Sequence, residues 1–173
     1  IAFARPFLRS QSALGITGSQ GRRIVLLVDT SASMQRQGTW SAAMERCREV
    51  LADLSPRDWI ALYAFDSDVR VIVDFPREAA IPLAQHRQQL SEQLEQLSPS
   101  WQSTEMALAL SRAAEDLKVL ADESASSVSA PLQIVLVSDM QRGSQIEALS
   151  GYEWPESVKL DIARVAPGQA GNA

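Results

Sequence analysis

Apolar residues dominate two stretches, from Ile24 to Val28 and from Leu132 to Val137, and each stops at a polar residue, Asp29 in the first and Ser138-Asp139 in the second. Runs of that length rich in β-branched residues suit strands buried on both faces of a parallel sheet. After the first, Trp40, Met44, Cys47, Leu51 and Leu54 recur at spacings of three and four, which predicts an amphipathic helix from about Thr39 to Leu54. Trp59 to Phe65 and Val69 to Phe75 flank the turn-prone Asp66-Ser67-Asp68 and read as a hairpin whose second strand lies at the sheet edge, closed by Pro76. Leu83, Leu90, Leu94 and Leu97 form a narrow stripe on a helix from Pro82 to Leu97, broken by Ser98-Pro99-Ser100. The longest helix is expected from Thr104 to about Glu123, with Ala107, Leu110, Ala114, Leu117 and Ala121 facing inward and a serine-rich loop, Ser124 to Ser129, behind it. A short helix from Ser144 to Leu149 and a last strand from Val158 to Val165 complete the pattern.

Strands alternating with helices predict an α/β fold: a doubly wound, mostly parallel sheet with one antiparallel edge hairpin and helices on both faces. Ligands of such sheets bind outside the carboxyl ends of the strands. Asp29 and Asp139 both stand there.

Composition narrows the picture. With 173 residues, 46% of them hydrophobic, the chain can build one sizeable core. The expected domain spans residues 22–166, between an N-terminal segment, 1–21, and a linker, 167–173. A formal net charge of -5, with 16 basic residues scattered among 21 acidic ones, leaves no electrostatic footprint for nucleic acid or anionic lipid. Cys47 is the only cysteine, so no internal disulfide can form. No stretch reaches the roughly 20 apolar residues of a membrane span, although the opening Ile-Ala-Phe-Ala-Arg-Pro-Phe-Leu is more apolar than a solvated tail and lacks a starting methionine, as if cut from something longer.

Just past the first strand, Asp29, Ser31 and Ser33 present a carboxylate and two hydroxyls at alternating positions, while Thr30 and Ala32 can turn away. Hard cations such as Mg²⁺, Mn²⁺ or Ca²⁺ prefer oxygen ligands, and an ion held by one or two carboxylates stays electron-poor enough to seek another anion. A carboxylate from a second protein can supply it.

Val-Asp-Thr-Ser-Ala-Ser-Met resembles the Asp-x-Ser-x-Ser signature of von Willebrand A and integrin I-type domains, the metal-ion-dependent adhesion site. In that family a threonine from a later loop and an aspartate at the end of the fourth strand complete the coordination. Thr104 in Trp-Gln-Ser-Thr-Glu-Met and Asp139 in Val-Ser-Asp-Met match them. The resemblance covers about Arg22 to Val165 and implies a metal-dependent protein-interaction module with the ligand set Asp29, Ser31, Ser33, Thr104 and Asp139, Mg²⁺ first and Mn²⁺ or Ca²⁺ as alternatives, and a protein partner offering Asp or Glu. Two departures stand out. Gln102-Ser103 replaces the usual glycine pair before the threonine, and Met140 replaces the usual glycine after the aspartate.

Gln35, Arg36 and Trp101 are candidates for a partner-binding rim, the last because tryptophan often anchors interfaces. Gln37 belongs to the same loop. His86 borders an apolar stripe with no second ligand nearby and reads as structural; Cys47 reads as a small buried hydrophobe; Asp66 and Asp68 read as turn chemistry. A phosphatase-like α/β enzyme also ends its first strand in an aspartate, but its general acid two residues on is here Ser31. A serine hydrolase lacks its Gly-x-Ser-x-Gly elbow. No enzyme is expected, and a structural spacer with a vestigial metal site is the other alternative. Ala-Phe-Ala-Arg-Pro-Phe-Leu resembles the end of the second membrane span in bacterial Bat-type aerotolerance proteins, which implies a domain tethered to the cell membrane through a segment N-terminal to it, on the outer side, and soluble by itself.

Overall fold

A computed structural model describes residues 21–76, 82–123, 130–140 and 152–166. Five strands, β1 (Arg23–Asp29), β2 (Trp59–Phe65), β3 (Val69–Val73), β4 (Leu132–Ser138) and β5 (Val158–Arg164), form one sheet in the order β3-β2-β1-β4-β5. The pairings β1–β2, β1–β4 and β4–β5 are parallel, and β2–β3 is the antiparallel pair at the edge. The expected doubly wound, mostly parallel sheet with one edge hairpin is therefore present.

Side chains of successive strand residues point to opposite faces, and β1 sorts itself accordingly. Ile24, Leu26 and Val28 face one layer with α1 (Thr39–Ala52) and α2 (Leu83–Gln96), burying Met44, Cys47, Leu90 and Leu94. Val25 and Leu27 face the other layer with α3 (Met106–Glu123), where Ala109, Ala113 and Ala114 bring the helix close to the sheet. Burial of both faces explains why Ile24–Val28 of β1 and Ile134–Val137 of β4 are continuous aliphatic runs instead of alternating with polar residues.

Several expected boundaries shift for visible reasons. The long helix begins at Met106, not Thr104, because the Glu105 N–H is drawn to the Asp66 carbonyl (2.8 Å) and the Glu105 carbonyl takes the first helical bond from Ala109. Thr104 stays in the loop. The last turn expected before Leu54 is absent: α1 stops at Ala52, though Leu54 is still buried. His86 lies inside the core instead of at its border, its Nε2 2.8 Å from the Ile60 carbonyl oxygen. Cys47 is buried as expected, and burial pushes its thiol up to about 12. Asp66 and Asp68 do make turn bonds: Asp66 Oδ1 accepts the Asp68 N–H, and Asp68 Oδ1 accepts the Val69 N–H. The expected loop at 124–129 and short helix at 144–149 lie outside the described residues.

The entry to β1 is locked at the opposite end of the sheet from Asp29. A Cβ on Gly21 would stand 1.8 Å from the Arg57 carbonyl oxygen, so only glycine passes there. Next to it the buried Asp58 carboxylate accepts bonds from the Arg22 N–H (2.8 Å), the Arg22 guanidinium (2.6 and 3.2 Å) and the Ser55 N–H (2.8 Å). Arg23 stacks over the Trp59 ring, 4.1 Å from its centroid.

Burial raises the Asp58 pKa, but the donors from Arg22 and Ser55 outweigh it and hold the carboxyl below the usual range. Replacing Asp58 by alanine strands these donors and is expected to cost about 2–3 kcal/mol in urea denaturation. Because the folded pKa is the lower one, the wild-type contribution is complete above the unfolded value of about 4 and disappears as pH falls through the folded value. The gap between wild type and Asp58→Ala should close at acid pH, and a gap constant from pH 7 to pH 2 would refute this account.

Candidate metal centre

Parallel register delivers the two key strands to a common finish. Val28 lies opposite Val137, so Asp29 and Ser138 end side by side at the carboxyl edge. Ser138 donates its hydroxyl to Asp29 Oδ2 (2.6 Å), and the Ser31 N–H is donated to Asp29 Oδ1 (2.9 Å). Asp29 is 1% exposed. Burial raises its pKa, the Ser138 and Ser31 bonds oppose that, and the charge of Asp139 adds to the rise.

Beyond Asp29 the chain folds outward over one 3-10 turn, Ala32–Gln35. Met34 makes that turn possible by burying itself completely in the layer shared with α1. Thr30 turns inward, its N–H (2.7 Å) and hydroxyl (3.0 Å) both donated to the Phe65 carbonyl. The hydroxyls of Ser31 and Ser33 are thereby left on one side, 3.2 Å apart, and Ser33 donates to Asp139 Oδ1 (3.1 Å). Asp29, Ser31, Ser33 and Asp139 thus form one hydrogen-bonded group, linked through Ser31 and Ser33, with Ser138 bracing Asp29.

Thr104 makes no bond to these four, but its loop is stitched to theirs. The Ser100 N–H is donated to the Thr30 carbonyl (2.6 Å), Ala32 N–H to the Gln102 carbonyl (2.9 Å), and Gln35 Nε2 to the Ser100 carbonyl (2.8 Å). Gln35 is therefore spent on holding the loop, whereas Arg36 is exposed and Trp101 is 84% exposed. A further brace runs from Arg70, which donates to Thr30 Oγ1 (3.0 Å) and Asp66 Oδ2 (3.2 Å).

Two oxygens in this set are conspicuous. Among the described residues, four buried side-chain polar atoms lack a hydrogen-bond partner: Thr39 Oγ1, Arg87 Nε, Thr104 Oγ1 and Asp139 Oδ2. Two of the four belong to the five residues expected to bind a cation. Buried polar atoms are nearly always paired, so unsatisfied acceptors at the carboxyl edge of the sheet fit a cation ligand set. The donor set, all oxygen with two carboxylates and three hydroxyls, suits a hard divalent ion.

The von Willebrand factor type A domain model matches residues 24–142, more than half of the chain. The chain belongs to the von Willebrand factor type A domain family. No curated protein sequence matches it. Among solved structures this von Willebrand A domain is similar to an ArnB paralog, VWA2, of Sulfolobus acidocaldarius (19% identity, TM-score 0.55, covering 83% of this chain and 34% of that one). It is also similar to an aerotolerance-related membrane protein of Bacteroides fragilis (16%, 0.59, covering 88% and 75%) and to the manganese-loaded TRAP protein of Plasmodium vivax (15%, 0.60, covering 86% and 59%). At these identities the likeness is one of fold. The domain spans only about a third of the Sulfolobus protein's length. Among the described residues no helix is long and apolar enough to cross a membrane.

The two departures from the family pattern differ in consequence. Among the described residues only Gly38 (φ 79°) and Met140 (φ 51°) have positive φ, so Gln102 and Ser103 fill the place of a glycine pair without left-handed strain. Met140 does not: it holds a conformation that costs a non-glycine residue about 1–2 kcal/mol, steadied by donating its N–H to Ser138 Oγ (3.1 Å).

Sequence reasoning passed over Ser138 and Met34, although both stand inside the quoted motifs. Ser138 serves Asp29 and Met140 at once, so Ser138→Ala is expected to destabilise the metal-free protein by about 2 kcal/mol, the range for a bond to a buried charge. Urea denaturation in EDTA measures this, and a loss below about 0.5 kcal/mol would show that Ser138 does not hold the carboxylate.

Proposed function

We propose that this domain is a metal-dependent protein-interaction module. Asp29, Ser31, Ser33, Thr104 and Asp139 would hold one divalent cation, Mg²⁺ first, with Mn²⁺ or Ca²⁺ as alternatives. When bound, the ion supplies an electron-poor coordination position that accepts a carboxylate oxygen from an Asp or Glu of a partner protein. The observation that carries this reading is the pair of buried oxygens without partners, Thr104 Oγ1 and Asp139 Oδ2. The manganese carried by the structurally similar Plasmodium TRAP protein supports it.

The chain's own residues divide the work. Asp29, with an N–H or O–H already on each oxygen, would contribute the negative charge of its carboxylate under the ion. The hydroxyls of Ser31 and Ser33 add oxygen without adding charge, which keeps the ion hungry for an external anion. Thr30, Gln35 and the backbone of Ala32 fix the Thr104 loop against the Ser31–Ser33 turn.

On this reading the domain is not catalytic. The chain's one histidine is committed to Ile60, five residues before Phe65, the partner of Asp29 across the sheet, which places it roughly 16 Å away at 3.3 Å per residue. A phosphatase-like mechanism would also need its general acid two residues after Asp29, where this chain has Ser31. The fold likeness to an aerotolerance-related membrane protein and the mostly apolar segment Ala-Phe-Ala-Arg-Pro-Phe-Leu, residues 2–8, favour a parent protein of Bat type. The domain would then be tethered outside the cytoplasmic membrane by a preceding segment.

Calorimetry is expected to detect Mg²⁺ or Mn²⁺ binding that Asp29→Ala abolishes; equal affinity in both proteins would sink the proposal. Thr104→Val gives a sharper test, because it deletes an unpaired hydroxyl at nearly constant volume. In EDTA the variant should match or slightly exceed wild-type stability. At a Mg²⁺ concentration about 100 times its Kd the wild type should gain about 2.7 kcal/mol and the variant clearly less. An equal gain in both would remove Thr104 from the site. Metal-dependent turnover of a generic phosphate ester, lost in Asp29→Asn, would overturn the non-catalytic reading.

A further inference from the structure

The four tryptophans of the chain have unlike surroundings. Trp40 packs against the core, Trp59 lies under Arg23, and Trp154 donates its indole N–H to the Val158 carbonyl (2.8 Å). Trp101 alone of the four stands in solvent, 84% exposed. Leaving so large an apolar surface in water forgoes about 2–3 kcal/mol of burial.

Its position is nevertheless fixed. The residue before it is bonded through its N–H to Thr30 and through its carbonyl to Gln35; the residue after it accepts the Ala32 N–H, and its own N–H is donated to Ser100 Oγ (3.1 Å). Ala32 sits between Ser31 and Ser33, and Thr104 follows three residues on. The indole is thus presented at the rim of the proposed cation site by a backbone that needs little further ordering on binding, which is how an interface anchor gains affinity.

Outside the carboxylates that would hold the cation, the charge on the two loops themselves is positive. Residues 30–37 and 100–104 contain no acidic side chain, and Arg36 is exposed with no ion-pair partner among the described residues. An acidic segment is therefore favoured over a basic one.

Resting on the carboxylate-capturing site proposed above, we infer that Trp101 sets its specificity. The partner is an extended protein segment in which a large apolar or aromatic side chain, one or two residues from the captured Asp or Glu, lies on the indole. The short spacing follows from the backbone: Ala32, between Ser31 and Ser33, bonds directly to Gln102, the residue after Trp101, and one or two extended residues advance only about 3–7 Å.

The test uses displayed peptides with one fixed central Glu and randomised flanks, selected on the Mg²⁺-loaded domain and released with EDTA. Wild type should enrich Phe, Tyr, Trp, Leu, Ile or Met within two positions of the Glu. Trp101→Ala, an exposed change that leaves the fold intact, should still yield EDTA-released, Glu-dependent peptides but without that enrichment. Peptides chosen on wild type should bind the variant about tenfold more weakly and bind Trp101→Phe nearly as well as wild type. In wild type they should also shift the Trp101 indole N–H resonance. The same apolar enrichment on both proteins, or Glu-dependent capture by wild type with no enrichment, overturns this inference and leaves the carboxylate reading standing. Absence of any EDTA-released, Glu-dependent peptide overturns both.

Discussion

A strand buried on both faces governs the rest of this molecule. Ile24–Val28 can leave water only if helices cover both sides of the sheet, and it can satisfy its backbone only if a strand lies along each edge. β2 and β4 do this in register, so three strands finish at one level and expose their last peptides where no helix covers them. Asp29, the Thr30 loop, Phe65-Asp66 and Ser138-Asp139 all arise at that line. The site is a by-product of how the core closes.

Placing a carboxylate at the end of such a strand sets two demands against each other. Asp29 is deep enough that burial raises its pKa, and an unpaired charge there would be costly. Ser138 and the Ser31 amide each engage one oxygen, which reduces the cost and fixes the carboxylate's orientation. Asp58, at the other end of the sheet, solves the same problem with a guanidinium and ends below the usual carboxylate range. The difference is functional in kind: a carboxylate neutralised by Arg22 has nothing to offer a cation, whereas one held only by neutral donors keeps its charge available.

What was legible in the sequence was whatever follows from periodicity. The aliphatic runs, the hairpin around Asp66-Ser67-Asp68 and the three helices carry their pattern in consecutive residues, as do Asp29, Ser31 and Ser33, whereas Asp139 was tied to them by the family resemblance and lies beside Ser33. What was illegible depends on bonds across the chain. The start of α3 at Met106 is set by the bond from Glu105 to the Asp66 carbonyl, 39 positions before Glu105, and no local signal at Thr104 reports it. The inward position of His86 depends on the Ile60 carbonyl. Ser138 looked like the last residue of a strand because its role exists only once Asp29 is beside it, and Met34 looked like a loop residue because its pocket is built by other elements.

Met140 and the unpaired oxygens point to the same trade. A domain selected for stability alone would place glycine at φ 51° and would not bury Thr104 Oγ1 and Asp139 Oδ2 without partners, since each such atom costs about 1–3 kcal/mol. These three features belong to the carboxyl edge, where two of the four unpaired buried atoms lie on expected ligands; Thr39 Oγ1 and Arg87 Nε are the other two. Strain and unmet hydrogen bonds gathered at a ligand set are recoverable by something that binds there. On the proposed reading the free energy withheld from folding is returned when an ion satisfies Thr104 and Asp139, which couples the stability of this edge to its occupancy and leaves the rest of the sheet indifferent to it.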